Sequence, residues 1–171
     1  IKGHFSEGLA VVPVASRASQ MDTSLSYIDR SGRLIAPTNQ FISARAFSEG
    51  LAAVQLDTER TWTFVDKTGK IAIKTKFANV QDFSEGLAGV QNRANQKWQF
   101  IDKEGNLAIT QTFDAVAPFS QGLASVRVGE KWGLIDKAGR QILEPTYQNY
   151  IHAYHDCVAA VEVPDSGRVD Y

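Results

Sequence analysis

Phe83-Ser84-Glu85-Gly86-Leu87-Ala88 is the stretch of sequence that decides the fold, because it recurs along the chain. The other copies are Phe5-Ser6-Glu7-Gly8-Leu9-Ala10, Phe47-Ser48-Glu49-Gly50-Leu51-Ala52 and Phe119-Ser120-Gln121-Gly122-Leu123-Ala124. Their first residues lie at 5, 47, 83 and 119, so the steps between copies are 42, 36 and 36 residues. A degenerate fifth copy, Tyr154-His155-Asp156-Cys157-Val158-Ala159, follows 35 residues after Phe119. A fixed period of this size indicates a tandem-repeat protein.

A second element repeats with the same period and predicts a β-hairpin. Its copies are Leu25-Ser26-Tyr27-Ile28-Asp29, Trp62-Thr63-Phe64-Val65-Asp66, Trp98-Gln99-Phe100-Ile101-Asp102 and Trp132-Gly133-Leu134-Ile135-Asp136. Three residues after each Asp comes a glycine: Gly32, Gly69, Gly105 and Gly139. An Asp that opens a four-residue turn hydrogen-bonds its own backbone, and a Gly at the fourth place supplies a positive φ.

Alternating patterns predict about three short strands in each repeat. After the Gly of one hexapeptide, Ala52, Val54 and Leu56 fall on one face of a strand. The aromatic element forms the second strand, and Ile71 and Ile73 belong to a third one after the turn. The segment from Ile73 to Phe83 has room for a short fourth strand near Phe77 to Val80. Prolines in this region of other copies (Pro37, Pro118 and Pro145) argue against a central strand there.

The two elements together resemble the WG (KWG) repeat family. The residues that carry the resemblance are Lys131-Trp132-Gly133-Leu134-Ile135-Asp136-Lys137-Ala138-Gly139, with the hexapeptide at Phe119 upstream. The other copies depart from the family's Trp-Gly pair and have Trp62-Thr63, Trp98-Gln99 or Leu25-Ser26 instead. The resemblance covers nearly the whole chain. It implies a structural or interaction module of bacterial proteins, often found in long arrays, and it brings no catalytic site.

We therefore predict an all-β array of tandem repeats of about 36 residues, arranged as an open stack or solenoid of β-hairpins. The alternative is a partial or complete β-propeller, which also repeats one small sheet per unit. The predicted repeats span approximately residues 5–46, 47–82, 83–118 and 119–153, with an incomplete unit at 154–171. Phe5 opens a repeat with no unit before it, and Val169-Asp170-Tyr171 begin a strand without completing it. We expect a parent chain that continues beyond this array of about four and a half copies.

Some positions that recur once per repeat are predicted to be structural. They are Phe5, Gly8, Phe47, Gly50, Asp66, Gly69, Phe83, Gly86, Asp102, Gly105, Phe119, Gly122, Asp136 and Gly139. The glutamates Glu7, Glu49 and Glu85 are expected in solvated turns, because glycoside hydrolysis needs two carboxyl groups in one cleft. Gln121 replaces the glutamate in the fourth copy, so the charge is dispensable there.

Composition and charge exclude several classes of function. The 171 residues include 18 Lys+Arg and 19 Asp+Glu, with the two signs interspersed, so no basic stripe is present to bind nucleic acid. A single cysteine, Cys157, excludes an internal disulfide framework and a cysteine-based zinc cluster. No apolar run approaches the ~18 residues of a membrane span. Bacterial cytoplasm and cell envelope or secretion both fit the sequence.

We predict no metal, no cofactor and no catalytic residue. Each Asp-x-x-Gly turn supplies a single carboxylate, whereas calcium needs several oxygen ligands that converge on one ion. His152 and His155 have a spacing that zinc ligands use. However, His155, Asp156 and Cys157 occupy the turn position of a degenerate hexapeptide, so we interpret the cluster as a drifted turn.

The tryptophans Trp62, Trp98 and Trp132 are the candidates for a ligand or partner surface. Exposed in a row, these rings would stack on sugars or a peptide; buried, they would pack between repeats.

The leading hypothesis is a non-enzymatic module for protein–protein interaction or scaffolding, with a protein as partner. One alternative is a carbohydrate or cell-envelope binding module. Another is an accessory array attached to an enzyme domain outside this sequence.

Overall fold

The protein is an all-β array of small antiparallel sheets. The structure, a computed structural model, describes residues 4–15, 23–35, 41–56, 60–148, 151–155 and 158–160. Over these ranges the chain forms β-strands and no helix. Three four-stranded sheets stand in the middle of the array, with one two-stranded sheet before them and another after them. The predicted open all-β repeat fold is confirmed.

Each sheet is built from strands that are consecutive in the sequence. Sheet 1 contains β1 (Leu9–Ala15) and β2 (Thr23–Asp29). Sheet 2 contains β3 (Ser43–Ala44), β4 (Leu51–Gln55), β5 (Trp62–Asp66) and β6 (Ile71–Phe77). Sheet 3 contains β7 (Asn79–Val80), β8 (Ala88–Gln91), β9 (Trp98–Ile101) and β10 (Leu107–Phe113). Sheet 4 contains β11 (Ala115–Val116), β12 (Leu123–Val128), β13 (Lys131–Asp136) and β14 (Gln141–Tyr147). Sheet 5 contains β15 (His152–His155) and β16 (Val158–Ala160).

The short fourth strand belongs to the following sheet. In sheets 2 to 4 the strands are ordered as in the sequence, so the short strand and the third long strand lie at opposite edges. β6 ends at Phe77 and β7 begins at Asn79, so one residue carries the chain from the edge of one sheet to the edge of the next. The structural unit is therefore shifted by one strand from the unit that the hexapeptide marks in the sequence.

The hexapeptide forms a tight hairpin turn at the entrance to the first long strand. Ser48 and Leu51 exchange two backbone hydrogen bonds of 2.9 and 3.1 Å. Between them, Glu49 has a φ of 53° and Gly50 a φ of 92°. Positive φ at both central positions is the arrangement of a type I′ turn, whose twist matches that of the flanking strands. Glycine adopts it freely, whereas the left-handed conformation costs a residue such as Glu49 about 1–2 kcal/mol.

The Asp-x-x-Gly stretch forms the second hairpin turn. The Oδ1 atom of Asp66 accepts hydrogen bonds from the backbone N–H groups of Thr68 (2.8 Å) and Lys70 (3.1 Å). The same two contacts are made by Asp29, Asp102 and Asp136. Gly105 has a φ of 86°, and a Cβ atom there would lie 2.9 Å from Cγ2 of Ile73 in the preceding sheet. Glycine therefore serves both the turn and the close approach of neighbouring sheets.

Consecutive sheets pack face to face, and the hydrophobic core lies between them. Ala52, Val54 and Val65 of sheet 2 are buried on the side of sheet 1. Ala53 and Phe64 are buried on the other side, against sheet 3. The central strands are thus covered on both faces, which requires a neighbouring sheet on each side. The small alanines in the first long strand allow the sheets to come close.

A recurring aromatic pair joins the repeats at three successive junctions. The rings of Phe64 and Phe83 meet edge to face with centroids 5.0 Å apart. Tyr27 with Phe47 and Phe100 with Phe119 form the same pair, each at 4.8 Å. Such pairs add about 0.5–1.5 kcal/mol beyond the burial of their surface. The hexapeptide phenylalanines at 47, 83 and 119 are 2%, 2% and 1% exposed, whereas Phe5 is 46% exposed.

This difference in burial predicts opposite outcomes for one substitution at two equivalent positions. Phe83→Ala should lower the free energy of unfolding by about 3–5 kcal/mol, because it empties a core between two sheets. Phe5→Ala should change it by less than about 0.5 kcal/mol, as expected for an exposed position. Urea denaturation followed by circular dichroism measures both. Equal losses at the two positions would contradict face-to-face packing as the source of stability.

Candidate binding surface

Polar side chains of the first three hexapeptides reach across to the next repeat. The Oε2 atom of Glu49 accepts a 2.9 Å hydrogen bond from the backbone N–H of Gly86. It also lies 3.0 Å from Nζ of Lys103. The Oγ atom of Ser48 donates a 2.7 Å hydrogen bond to the carbonyl oxygen of Phe83. We call this set of three contacts the inter-repeat clasp.

The inter-repeat clasp occurs at three successive junctions. Glu7 contacts Gly50 N at 2.9 Å and Lys67 Nζ at 3.0 Å. Glu85 contacts Gly122 N at 2.9 Å and Lys137 Nζ at 3.1 Å. The serine contacts to the Phe47 and Phe119 carbonyls complete these two clasps. The glutamates lie in turns, as expected, and each of these turns also bonds the next repeat.

The clasp stabilises the ionised form of its glutamate. The hydrogen bond from Lys67 lowers the pKa of Glu7 below its usual 4.5, against a smaller opposing effect of burial, and the amide of Gly50 adds to the lowering. Partial burial acts to raise the pKa of Glu49, but its contacts with Lys103 and Gly86 outweigh that effect and lower it. The same balance lowers the pKa of Glu85. All three carboxylates are therefore charged at neutral pH.

The tryptophans lie on successive sheets and are half-buried. Trp62 packs against the core between sheets 2 and 3, and the guanidinium of Arg45 lies 4.7 Å from its ring centroid. Trp98 packs against the next core, and Trp132 packs beside Leu134 with the Arg127 guanidinium 5.9 Å from its ring. The tryptophan rings thus contribute to the packing of the hydrophobic cores. Their role in binding a partner stays a prediction.

The carboxylates of the described residues are not gathered for catalysis or metal binding. Within the part of the chain that the structure describes, no group of three or more His, Cys, Asp or Glu side chains could hold a metal ion. Asp66, Asp102 and Asp136 close their own turns. The side chains of His152 and His155, and all of Asp156 and Cys157, lie outside the described residues.

Two grooves occupy equivalent places at successive junctions between sheets. Groove A lies between sheets 2 and 3, encloses about 390 Å³ and contains Phe77 and Ile101 among its lining residues. Groove B lies between sheets 3 and 4, encloses about 490 Å³ and contains the equivalent residues Phe113 and Ile135. In each groove the glycine of an Asp-x-x-Gly turn completes the lining.

The rims of the two grooves differ in chemistry, although the buried residues match. Groove A has Thr75, Lys76 and Leu107 where groove B has Gln111, Thr112 and Gln141. In groove B the side-chain amide of Gln111 also donates a 3.2 Å hydrogen bond to the carbonyl oxygen of Gly139. The fold thus keeps the position and the buried residues of the groove, while the residues at its rim vary. Sequence patterns did not reveal the grooves, because their two walls come from different repeats.

The repeats match a known family model. The model of the WG containing repeat matches residues 26–57, 62–98, 100–132 and 132–163. The chain belongs to the WG repeat family. A comparison with curated proteins finds no match. A crystal structure of a protein of unknown function from Bacteroides caccae is 17% identical, with a TM-score of 0.36, and the match covers 86% of this chain and 67% of that one.

The structure explains how the glycine of the family's Trp-Gly pair can be replaced in other repeats. Gly133 allows strand β14 to cross closely, since a Cβ atom there would lie 2.5 Å from the Leu143 carbonyl oxygen. In sheet 2 the equivalent residue is Thr63, and its hydroxyl donates a hydrogen bond to the carbonyl oxygen of Ile73 in the third long strand. In this chain these two strands are therefore joined by close backbone approach in sheet 4 and through a side chain in sheet 2.

No helix suited to crossing a membrane is found among the described residues of the WG array.

The lowered pKa values predict that acid weakens the array through its clasps. The carboxylates contribute stability above their unfolded pKa of about 4.5, and this contribution is lost as the pH falls through the lower folded values. Replacing Glu7, Glu49 and Glu85 by Gln should cost about 0.5–1 kcal/mol per site at pH 7, after allowance for solvent screening. It should also flatten the dependence of the melting temperature on pH between about 3 and 5.

Glu130→Gln is the matched control for each single replacement, since it removes one carboxylate charge from an exposed hairpin turn. Melting temperatures from differential scanning calorimetry across this pH range compare the variants. A triple variant with the pH profile of the wild type would show that the clasps do not carry the acid sensitivity.

Proposed function

We propose that this WG array is a non-catalytic module that binds a protein through the grooves between its sheets. The observation that carries the proposal is the recurrence of the groove at two successive junctions, with matched buried residues and different rims. Repeat proteins that bind other proteins present such surfaces, because a stack of units creates an extended face on which side chains vary without disturbing the frame.

The use of polar residues inside the array supports a binding role over a catalytic one. The aspartates of the Asp-x-x-Gly turns accept hydrogen bonds from their own backbones, and the glutamates of the first three hexapeptides accept them from the next repeat. These contacts stabilise the fold and leave the carboxylates spread along the array. Acid–base and nucleophilic mechanisms instead need such groups within hydrogen-bond reach of one another.

The tryptophans favour a protein partner over a polysaccharide. Stacking on a sugar would require an open ring face, and the ring of Trp62 is half-buried with a guanidinium 4.7 Å from its centroid. The grooves, by contrast, combine buried aromatic and aliphatic residues with polar rims. That combination suits the side chains of a peptide or protein surface.

The test begins with capture and continues with groove variants. The array is immobilised and exposed to lysate and envelope fractions of its source organism, and a retained protein is purified and titrated against the array. Ala94 and Ala138 are exposed alanines that line grooves A and B. The double variant Ala94→Glu/Ala138→Glu should weaken the binding of this protein at least about tenfold, which corresponds to about 1.4 kcal/mol.

Ala46→Glu is the control, because Ala46 is exposed outside both grooves and the equivalent residue of the next repeat is Asp82. It should leave the affinity unchanged. Retention of polysaccharide without a protein would overturn the proposal, as would equal affinities of the groove variant and the wild type.

A further inference from the structure

We propose that an amphipathic helix of the partner protein lies across sheets 1 to 3, on a row of exposed apolar residues formed by Leu34, Ile71 and Leu107. We call this set the apolar row. The helix carries acidic residues where it passes Ile71. This inference rests on the proposed protein-binding function and names the kind of segment that the array binds.

The members of the apolar row occupy the same place in successive sheets. Each follows the glycine of an Asp-x-x-Gly turn by two residues and pairs with the residue that precedes the Asp of that turn. The pairs are Leu34 with Ile28, Ile71 with Val65 and Leu107 with Ile101. In sheet 4 the same place is taken by Gln141, which pairs with Ile135. The row therefore covers three sheets and ends at a polar residue.

Packing within the array does not account for the apolar row. Leu34, Ile71 and Leu107 are 38%, 47% and 52% exposed, whereas Ile73 and Ile109, two positions later in their strands, are buried. A single exposed apolar side chain is ordinary on a protein surface. Its recurrence at one position of three stacked sheets creates a continuous feature, and exposed apolar surface of this kind marks interaction sites.

The spacing of the apolar row matches that of an α-helix. A Cβ atom at Gly105 would lie 2.9 Å from Cγ2 of Ile73, and one at Gly139 would lie 3.0 Å from Cγ2 of Ile109. The third long strand of a sheet thus meets the turn of the next sheet in the same way at both junctions. Each step along the row therefore crosses one sheet, which is about 10 Å.

Residues seven positions apart in an α-helix lie on nearly the same face and are separated by about 10.5 Å. An extended chain covers about 10 Å in three residues, but residues three positions apart in a strand point to opposite faces. A helix can therefore present one apolar side chain to each sheet, whereas an extended segment cannot.

The apolar row joins the grooves of the proposed binding surface. Leu107 lines groove A together with Phe77 and Ile101, so the row passes the mouth of that groove. Gln141, at the equivalent place, lines groove B. A helix on the row therefore places an apolar side chain at groove A and ends before the more polar mouth of groove B.

Positive charge is concentrated at the middle of the apolar row. Lys70 and Lys74 are exposed and flank Ile71 in the chain. Lys70 acts on the aspartate of its own turn without an ion pair, and Lys74 forms no ion pair within the part of the chain that the structure describes. Sheet 3 has Asn106 in place of Lys70 and carries a glutamate, Glu104, in the same turn. Acidic residues of the helix therefore fit beside Ile71.

The probe is an alanine-based helical peptide of three heptads, with a leucine at every seventh position and glutamates beside the central leucine. It is titrated into the isotope-labelled array and followed by backbone amide NMR. We expect shift changes concentrated around the apolar row. A peptide of the same composition with leucines at every fifth position, which do not share one helix face, should bind at least tenfold more weakly. Equal binding of the two peptides, or no shift change at millimolar probe, would overturn the inference.

A proline in the central heptad tests whether the bound segment is a helix. Proline breaks or kinks a helix, because it removes a hydrogen bond and clashes with the preceding turn. The proline peptide should bind at least tenfold more weakly than the probe. Binding of both with the same affinity would mean that the segment is not helical and would contradict the inference.

A charge exchange tests the acidic contact beside Ile71. Lys74→Thr gives sheet 2 the residue that sheet 3 has at the equivalent position, Thr110. It should weaken binding of the probe several-fold and leave unchanged the binding of a peptide with glutamines in place of the glutamates. The same weakening for both peptides would refute the contact between Lys74 and the acidic residues.

Exchanges of apolar and polar residues test the row itself. Leu107→Gln gives sheet 3 the residue of sheet 4 and should weaken binding of the probe at least fivefold. Ile42→Gln is the control, because Ile42 is 50% exposed beside β3, at the opposite edge of sheet 2 from β6. Gln141→Leu extends the row and should strengthen binding of a four-heptad probe. Equal effects of Leu107→Gln and Ile42→Gln would contradict the inference.

Displacement of the captured protein separates this inference from the proposed function. A captured protein whose binding falls with Ala94→Glu/Ala138→Glu but is not displaced by the probe would refute the helix site and leave the proposed function intact. Failure to capture any protein would count against both. Self-association of the array that Leu107→Gln abolishes would assign the row to a second copy of the chain and overturn the inference.

Discussion

The array depends on one interaction above all. This is the edge-to-face contact between the hexapeptide phenylalanine of one repeat and the aromatic residue in the second long strand of the repeat before it. A four-stranded sheet of this size has little core of its own, so burial of its faces must come from its neighbours. Phe64 and Phe83 show how this works: the two rings meet between sheets, and residues from both sheets surround them. The clasp then adds polar contacts at the edge of the same junction.

The glutamate of the hexapeptide illustrates a balance between local strain and contact with the next repeat. Glu49 has a positive φ that glycine would adopt more easily, but its carboxylate bonds the turn of the next hexapeptide and a lysine beyond it. One turn thus closes a hairpin and joins two repeats. The polar residues that recur in the hexapeptides are used in these contacts between repeats. The polar residues that vary from one repeat to the next lie at the rims of the grooves.

The sequence predicted those features that depend on neighbouring residues in the chain. The period, the Asp-x-x-Gly turns and the all-β class follow from local patterns such as Asp66 and Gly69, and they did not require contacts between repeats. The clasp and the grooves could not be predicted in the same way, since Glu49 meets Gly86 and Lys103 only after the sheets stack. The half-burial of Trp62 and the placement of β7 in the following sheet likewise depend on the geometry of stacking.

A double-mutant cycle between Phe64 and Phe83 tests most directly the claim that aromatic contacts couple the repeats. The free energies of unfolding are measured for Phe64→Leu, Phe83→Leu and the double variant, with Phe64 and Phe119 as a control pair from different cores. We predict a coupling of about 0.5–1.5 kcal/mol for the first pair. For the control pair we predict additivity within about 0.5 kcal/mol. Additive effects of Phe64→Leu and Phe83→Leu would contradict a coupling of the repeats through these rings.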